Sequence, residues 1–243
     1  LARIAVTKPV KDMFDNIAPW YDFLNRLLSL RRDVYWRRFT ADKIFLGQTR
    51  RILDVACGTG DIALEVINSQ SAVHQVIGID FSLNMISKAK GKISTPSPSV
   101  WKVSTTSKIR LALADALNLP FKDATFDDCI IAFGIRNIPF RRPALEEMAR
   151  VLSTGGQIMV LEFATPRTRF FKNAYLLYLN RILPLIGGLF SKNKGAYRYL
   201  SETIMNFPDP EKFCGLMKEA GLKNVHYHKL TLGIVNLHIG IKA

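Results

Sequence analysis

A glycine turn is the part of this sequence with the clearest potential for chemistry. Gly58, Gly60 and Ala63 follow the apolar run RILDVAC and fit the pattern G-x-G-x-x-A at the start of a predicted helix. Glycines in such a turn let backbone amides approach a ligand at the N-terminus of the helix. Taken alone, the pattern also has an ordinary structural interpretation, because two glycines make a tight turn between a strand and a helix.

Two carboxylates that follow later apolar runs limit the class of ligand that the sequence predicts. Asp80 ends the run VIGID, where a carboxylate can accept hydrogen bonds from both hydroxyls of a ribose, and Asp115 follows the run IRLALA. Each also has a structural interpretation, Asp80 as a helix N-cap and Asp115 as a turn residue. Ligands of open α/β sheets bind at the carboxyl ends of strands, so the three features together favour an adenosine-bearing cofactor, either NAD or S-adenosylmethionine.

Alternating strands and helices must position these residues. Short apolar and β-branched runs predict strands over residues 51–56, 75–80, 109–114, 127–133 and 157–163, with helical patterns in most of the gaps. The segment DPEKFCGLMKEAGL predicts a helix with Asp209 as N-cap and Gly221 as its end, and two alternating runs follow it. The predicted fold is α/β, a doubly wound, mostly parallel sheet of seven strands whose last strand is antiparallel.

Domain organisation is predicted to be simple. Residues 1–243 form a single domain with an N-terminal helical segment over 9–45 and a helical insertion over 166–208 that forms a lid over a pocket. Residues 94–108, rich in Ser, Thr and Pro, are predicted to be a surface loop. The apolar stretch 176–190 is interrupted by polar residues, Pro and Gly, and it is shorter than the roughly 20 residues that a spanning helix needs.

Composition limits the class of protein and its partners. The 243 residues are 48% hydrophobic and 22% charged, which is typical of a globular domain, and the net charge of +14 favours an anionic partner. Cys57, Cys129 and Cys214 are far apart and lack metal-ligand spacing, so we expect a reducing compartment, no disulfides and no metal site. The expected location is intracellular, in the cytoplasm or an organelle matrix, with the inner face of a membrane as a further option; a targeting segment could have been removed.

Five motifs in order carry a family resemblance. LDVACGTG, GIDFS, ADALNLPF, FDDCIIAF and EMARVLSTGGQIMVLEF resemble the class I S-adenosylmethionine-dependent methyltransferases over the central half of the chain, and a nicotinamide enzyme has no reason to carry all five. The resemblance implies that Asp115 receives the adenine amino group, that the Ala116 amide meets the ring and that Phe81 lies against its face. By the same resemblance the methionine part of the cofactor faces Asp54, Gly58, Thr59 and Gly60.

The outer segments narrow the resemblance further. MFDNIAPWYDFLNRLLSL, YWRR, AFGIRNI, YRYLSETIMNFP and TLGIVNLHIGIK resemble the C-methyltransferases of menaquinone and ubiquinone biosynthesis, the demethylmenaquinone methyltransferase family, and extend the match to nearly the whole chain. There are departures, because Arg31 stands where the family usually has Gly, Ala132 where it has a hydroxyl residue and Thr203 where it has Ser, and the loop 94–108 is longer. Ala132 therefore leaves only a backbone contact to the cofactor.

The implied reaction assigns roles to a few side chains. A ring carbon of a polyprenyl quinol attacks a sulfonium methyl in line, which requires no metal but needs orientation, exclusion of water and help in removing a hydroxyl proton. Arg136 is predicted to stabilise the phenolate, Asn137 to orient the ring and His238 to take the proton directly or through water. Tyr21 is predicted to close over the cofactor. The alternatives are a surface or lid-pairing charge for Arg136, a structural His238 and simple packing for Tyr21.

The insertion is predicted to meet the substrate and its membrane. Tyr197 and Tyr199 line the quinone pocket or the core of the lid, and the stretch 176–190 forms an interfacial surface for anionic headgroups or a helical pair packed on the core. The bases that flank this stretch are Arg167, Arg169, Lys172, Lys192 and Lys194.

Two other functions stay open from the sequence. The net charge alone favours a nucleic-acid methyltransferase, although the chain lacks the Asn/Asp-Pro-Pro-Tyr segment of amino-group methylases. A non-catalytic component that binds S-adenosylmethionine in a quinone-synthesis complex is the other. The sequence leaves open whether the ring is a naphthoquinol or a benzoquinol, and whether the chain forms a homodimer.

Overall fold

A seven-stranded sheet organises the protein in the computed structural model, which describes residues 2–44, 50–95, 107–182 and 194–243. Its order is β3-β2-β1-β4-β5-β7-β6; β1 to β5 are parallel, and β7 is antiparallel to both β5 and β6. The predicted mostly parallel α/β sheet with an antiparallel end is thereby confirmed. The strands are β1 Arg50–Val55, β2 Val73–Asp80, β3 Ile109–Leu113, β4 Phe126–Ala132, β5 Leu152–Phe163, β6 Leu222–Leu230 and β7 Val235–Lys242.

Helices cover both faces of this sheet. In the described residues they are α1 Ala2–Ile17, α2 Tyr21–Leu28, α3 Arg32–Ala41, α4 Asp61–Ser69, α5 Leu83–Ser94, α6 Arg141–Val151, α7 Arg169–Leu177, α8 Lys194–Met205 and α9 Pro210–Glu219. A π-helical turn, Tyr178–Ile182, extends α7. Residues 183–193, the loop residues 96–106 and the side chain of Tyr197 lie outside the described part, and with them much of the predicted interfacial stretch.

The central strands are buried on both faces, as a parallel sheet flanked by helices requires. Residues 52–55 of β1 and 128–131 of β4 are buried in unbroken runs. Two apolar cores result. One packs α3 and α4 against one face around Trp36 and Ile130, and the other packs α6 and α9 against the opposite face around Leu145 and Phe213.

Strand β5 begins earlier than the sequence predicts. Gly155 and Gly156 are part of the strand, although the strand was predicted to begin at residue 157. Gly155 has a φ of +80°, and a Cβ on Gly156 would lie 2.5 Å from the carbonyl oxygen of Asp127. The register with β4 shifts at this place, so the glycines allow an irregular strand that other residues would disrupt.

The turn between α2 and α3 shows why a family glycine would suit residue 31. Leu30 and Arg31 have φ values of 50° and 62°, in the left-handed region. The Arg31 amide donates to the Arg26 carbonyl at 2.8 Å and the Leu30 amide to the Leu27 carbonyl at 3.2 Å, which is the Schellman end of a helix. Arg31 therefore holds a conformation that glycine adopts without steric cost.

Buried ion pairs fasten the N-terminal helices to the sheet. Asp33 of α3 pairs with Arg26 and Arg37, and Arg37 Nη1 also lies 3.4 Å from Asp61 of α4. Lys92 of α5 joins the network at 2.7 Å from Asp61. Despite burial, Arg37, Lys92 and Arg26 lower the pKa of Asp61 to about 2. This network sets α2 and α3 above the carboxyl ends of the strands.

The described residues contain neither a membrane-spanning helix nor a cluster of metal ligands. Over residues 2–44, 50–95, 107–182 and 194–243, no helix combines the length and the apolar character needed to cross a bilayer. The same ranges hold no group of three or more His, Cys, Asp or Glu side chains that could bind a metal ion. Cys57, Cys129 and Cys214 are buried free thiols. The division into a segment 9–45 and a lid 166–208 stays a prediction.

Candidate active site

A cavity of about 240 Å³, here called the glycine-turn cavity, lies at the carboxyl ends of β1, β2 and β4. Helix α1 and the turn after β3 close its sides. Seven of the predicted cofactor residues line it: Tyr21, Gly58, Asp80, Phe81, Asp115, Ala116 and Ala132. These residues come from segments far apart in sequence, and the sheet brings them together as the strand pattern predicted.

Asp80 is bound directly to the glycine turn. The Gly58 amide donates to its Oδ2 at 2.9 Å and the Ser82 amide to its Oδ1 at 2.9 Å. Burial raises the pKa of Asp80 and these backbone hydrogen bonds oppose the increase. The N-cap of α5 is Ser82, whose hydroxyl accepts from the Met85 amide, so Asp80 keeps lone pairs for a ligand.

Three predicted cofactor residues do not line this cavity. The Thr59 hydroxyl donates to Asp22 of α2 at 2.5 Å, and a Cβ on Gly60 would lie 3.4 Å from Ala89 of α5. Asp54 is buried, and neither of its carboxylate oxygens has a hydrogen-bond partner among the described residues. Burial, followed by the neighbouring Asp80, raises the pKa of Asp54 well above its ordinary value.

A second cavity of about 350 Å³, here called the aromatic cavity, lies beside the first. Helices α1 to α3, the end of β4, helices α7 and α8 and the loop between β6 and β7 line it. Trp36, Phe133 and Phe163 form a triad on its wall, with ring centroids 4.7 to 5.9 Å apart. The two cavities share Phe14, Tyr21, Phe133 and Asn137, so these side chains form a common wall.

Arg136 lines the aromatic cavity and is held from below. Its Nη1 donates to Glu162 Oε1 at 2.7 Å and to the Phe133 carbonyl at 2.5 Å. Its guanidinium carbon lies 5.4 Å from the centre of the Phe163 ring. Sequence reasoning missed Glu162, although an acidic residue inside the buried run QIMVLEF, near the end of a strand, was a usable signal.

Asn137 and Tyr199 lie at the same cavity as predicted. The Asn137 Nδ2 lies 3.5 Å from the Phe133 carbonyl, and its Oδ1 is buried without a partner in the described part. Tyr199 and Tyr175 both line the cavity, and burial raises the pKa of each phenol. These phenols therefore remain hydrogen-bond donors at neutral pH. Tyr175 was missed, because nothing in its local sequence distinguishes it from a packing residue.

Tyr21 closes the glycine-turn cavity from above. A Cβ on Gly58 would lie 3.9 Å from the Tyr21 ring, and that ring packs edge-on against Phe14 with centroids 6.2 Å apart. Burial raises the pKa of the Tyr21 phenol, while Arg136 and Arg37 oppose the increase. This phenol is consequently near both arginines of the second cavity.

His238 is not brought to either cavity. It lies in β7 opposite Tyr227 of β6, with its ring 4.8 Å from Phe213 and 5.6 Å from Tyr227. Both ring nitrogens are buried, and burial lowers the pKa of His238 to about 4. The side chain therefore packs on the face of the sheet covered by α9, and no contact supports its predicted role as proton acceptor.

The sequence matches one family model over residues 3–242, described as the ubiE/COQ5 methyltransferase family. The chain belongs to this family. Members of the ubiE/COQ5 methyltransferase family use S-adenosylmethionine, so the predictions of the family, the enzyme class and the cofactor are confirmed. The predicted site residues keep the status of predictions.

Named relatives cover almost the whole length. The chain is 45% identical over 233 residues to the ubiquinone/menaquinone biosynthesis C-methyltransferase UbiE of Geotalea daltonii, and the match covers 96% of each chain. It is 43% identical over 228 residues to the demethylmenaquinone methyltransferase of Thermus thermophilus, covering 94% of this chain and 99% of the relative.

Solved structures share the fold at low identity. The [4+2]-cyclase SpnF is 15% identical with a TM-score of 0.69, and the match covers 96% of this chain and 95% of the cyclase. An S-adenosylmethionine-dependent methyltransferase from Thermotoga maritima is 17% identical with a TM-score of 0.64, covering 96% and 99%. The class I methyltransferase fold of the ubiE/COQ5 chain is therefore confirmed, and at these identities nothing more than the fold is shared.

Proposed function

We infer that this protein transfers a methyl group from S-adenosylmethionine to a ring carbon of a polyprenyl quinol, converting demethylmenaquinol to menaquinol, or acting on the ubiquinone-pathway equivalent. The observation that carries this proposal is the common wall of Phe14, Tyr21, Phe133 and Asn137 between the two cavities. One cavity has the donors and acceptors that suit an adenosine, and the other is aromatic and large enough for a quinol ring. The names of the relatives support the same reaction.

The glycine-turn cavity fits S-adenosylmethionine. Asp80 suits the ribose hydroxyls, and Phe81, Asp115 and Ala116 are available to the adenine ring and its amino group. Asp54 has no partner for either carboxylate oxygen in the described residues, and the ammonium of the methionine part is a cation that would satisfy it. When bound, this cofactor supplies a methyl group made electrophilic by its positively charged sulfur. The ring carbon gains this methyl as the bond between methyl and sulfur breaks, the leaving group is S-adenosylhomocysteine, and the proton displaced from the ring is released to solvent.

The residues of the aromatic cavity then orient and activate the ring. The triad of Trp36, Phe133 and Phe163 offers faces and edges for stacking and excludes water. Arg136 stabilises the negative charge that develops on the ring oxygen, and Asn137, which lines both cavities, orients the ring. A donor of this kind typically contributes about 10²–10³ in kcat.

The rim of the aromatic cavity suits an anionic bilayer, from which a polyprenyl substrate would enter. Leu30, Phe170, Leu177 and Leu232 flank residues of the cavity wall and are 82%, 76%, 59% and 66% exposed. The segments 26–32, 169–182 and 229–234 that carry them contain no Asp or Glu and several exposed Arg and Lys. Apolar side chains with surrounding bases are the pattern of an interfacial surface.

The reaction is tested by supplying the protein with S-adenosylmethionine and reduced, demethylated naphthoquinone or benzoquinone, and measuring products by mass spectrometry. We expect one added methyl group on at least one ring type, which also decides between them. The matched variants are Asp80→Ala, expected to lose turnover at micromolar cofactor, and the exposed Asp123→Ala, expected to keep it. Methylation of total RNA with no methylated quinol would overturn the proposal.

Cosedimentation with vesicles tests the membrane surface. Binding to phosphatidylglycerol vesicles, weaker binding to phosphatidylcholine vesicles and loss of binding in a Leu30→Ser, Phe170→Ser double variant are expected. Leu113, 57% exposed on the edge strand β3, provides the control Leu113→Ser. Equal and negligible binding of the unmodified protein to both vesicles would exclude this surface. A homodimer, a quinone-synthesis complex and the location in the cell stay predictions.

A further inference from the structure

Glu162 is a fully buried carboxylate beneath the aromatic cavity, and the reaction proposed above gives it no direct contact with a substrate. We propose that Glu162 is the positioning residue of Arg136, which it holds so that the free edge of the guanidinium faces the ring oxygen. This inference rests on the proposed function and names the residue that organises its oxyanion site.

Both oxygens of Glu162 are occupied by groups of the two residues that it positions. Oε1 accepts from Arg136 Nη1 at 2.7 Å and from the Phe163 amide at 2.9 Å, while Oε2 accepts from the Arg136 amide at 3.2 Å. One carboxylate therefore binds the side chain and the backbone of Arg136 together. The backbone contact fixes the 3₁₀ turn Ile135–Asn137, and the side-chain contact fixes the direction of the guanidinium.

Further contacts complete the orientation and leave one edge for the substrate. The Phe133 carbonyl holds the same Nη1, Phe163 lies beneath the guanidinium, and Arg141 donates to the Arg136 carbonyl at 3.3 Å. The Nε of Arg136 is buried without a partner, and its Nη2 makes no hydrogen bond within the described residues. The Nε is enclosed and cannot reach a substrate, so Nη2, in a side chain of the cavity wall, is the donor that remains for a ring oxygen.

An Arg136 side chain without these contacts would not be pre-organised as a hydrogen-bond donor. Such a side chain has many rotamers, and ordering them during the reaction costs free energy that a pre-organised donor has already lost on folding. The carboxylate also compensates a buried cation, which is a purely structural role. The two roles differ in what they change: loss of charge compensation lowers the free energy of unfolding, whereas loss of positioning lowers kcat in a protein that is still folded.

A double-mutant cycle on kcat, with the free energy of unfolding of each protein measured by urea denaturation, separates the roles. We expect Arg136→Met to lower kcat by about 10² and Glu162→Gln by about tenfold. In the Arg136→Met background, adding Glu162→Gln is expected to change kcat by less than about twofold, because the residue acts through Arg136. The KM for S-adenosylmethionine should stay within about twofold in all four proteins, since Glu162 lines neither cavity.

Glu147 provides the matched control. It forms another Glu–Arg pair, accepting from Arg150 Nε at 2.8 Å and from Nη2 at 2.9 Å, away from both cavities. Glu147→Gln should leave kcat unchanged. If Glu162→Gln alone fails to fold, Glu162→Asp replaces it in the cycle and is expected to lower kcat by about tenfold only when Arg136 is present. The double variant of Arg136→Met and Glu162→Gln can also be measured, because it leaves no unpaired charge.

The outcomes are separate from those of the proposed function. If the unmodified protein methylates neither quinol, the proposed function fails. If it turns over but Glu162→Gln keeps full kcat, or if the two reductions multiply in the double variant, the reaction stands and the positioning role is overturned.

Discussion

The hydroxyl of Thr59 donates to Asp22 Oδ1 at 2.5 Å, which ties the glycine turn to helix α2. Lys92 holds the same pair, at 3.0 Å from the Thr59 oxygen and 2.8 Å from Asp22 Oδ2. Because Asp22 directly follows Tyr21, this contact sets the distance between the turn and the side chain that closes the cavity.

Thr59→Val should therefore weaken cofactor binding although Thr59 lines neither cavity. A hydrogen bond to a charged group contributes about 1.5–3 kcal/mol, so we expect the Kd for S-adenosylmethionine to rise at least about tenfold. Isothermal titration calorimetry measures it. Thr125→Val, which removes an exposed hydroxyl bound to the Lys122 carbonyl, is the control and should bind normally. An unchanged Kd in Thr59→Val would show that α2 needs no such tie.

The raised pKa of Asp54 leads us to expect that cofactor binding releases protons. Its pKa is raised well above normal by burial, and a cofactor ammonium beside it would lower that pKa again. Titrations in buffers of different ionisation enthalpy should show proton release for the unmodified protein and less for Asp54→Asn. The same variant should raise the Kd and make the cofactor-free protein more stable at neutral pH, because it removes a buried acid whose raised pKa costs stability there. Equal proton release in both proteins would exclude this role.

Arg31→Gly should stabilise the protein. The φ of 62° at Arg31 costs about 1–2 kcal/mol for a residue with a Cβ, and glycine removes this cost. Part of the gain in stability is lost again, because glycine has a larger conformational entropy in the unfolded state. We expect a net increase of about 0.5–1 kcal/mol in the free energy of unfolding, measured by urea denaturation. Arg32→Gly, at the first position of α3, is the control and should be neutral or destabilising. A loss of stability in Arg31→Gly contradicts the assignment of strain.

Two buried groups should give opposite pH dependences of stability. Burial raises the pKa of Asp128 to about 6 from 3.8 and lowers that of His238 to about 4 from 6.5. Between these values native Asp128 binds more protons than the unfolded chain, so its contribution falls as pH rises from 4 to 6. Native His238 binds fewer, so its contribution rises over pH 4 to 6.5. Each change is about 3 kcal/mol, at 1.36 kcal/mol per pKa unit, and the two largely cancel.

Substitution should reveal each slope. The free energy of unfolding of Asp128→Asn minus that of the unmodified protein should rise as pH increases from 4 to 6. The same difference for His238→Phe should fall over this range. Urea denaturation at pH 4, 5, 6 and 7 provides both curves. Parallel curves for all three proteins would mean that neither group titrates differently in the native and unfolded states.

Local pattern predicted the sheet and much of the first cavity. The strands ending before Gly58, at Asp80 and before Asp115 were visible as apolar runs, and a parallel sheet puts their carboxyl ends at one edge. The same pattern did not predict that Thr59 and Gly60 contact neighbouring helices instead of lining the cavity. Consecutive residues of a turn point to different elements, and here those elements are α2 and α5.

The second cavity depends on pairings that no local pattern contains. Glu162 and Arg136 are 26 residues apart and come from a strand and a turn that meet only in the folded sheet. His238 lies on an alternating strand, where the neighbouring positions face opposite sides, so its face depended on the register with β5. Tyr175 reaches the cavity because α7 packs against Leu24 of α2 and Ile204 of α8, a tertiary arrangement without a sequence signal.

The shared rings of Phe14 and Tyr21 have a consequence for the affinities of the two cavities for their ligands. A molecule on one side of these rings limits their movement, and a molecule on the other side contacts the same atoms. In the proposed reaction, binding of the methyl donor and binding of the acceptor are therefore thermodynamically linked. If the donor changes the affinity for the acceptor by some factor, the acceptor changes the affinity for the donor by the same factor. In the proposed reaction, side chains shared in this way make the affinity for each ligand depend on the presence of the other.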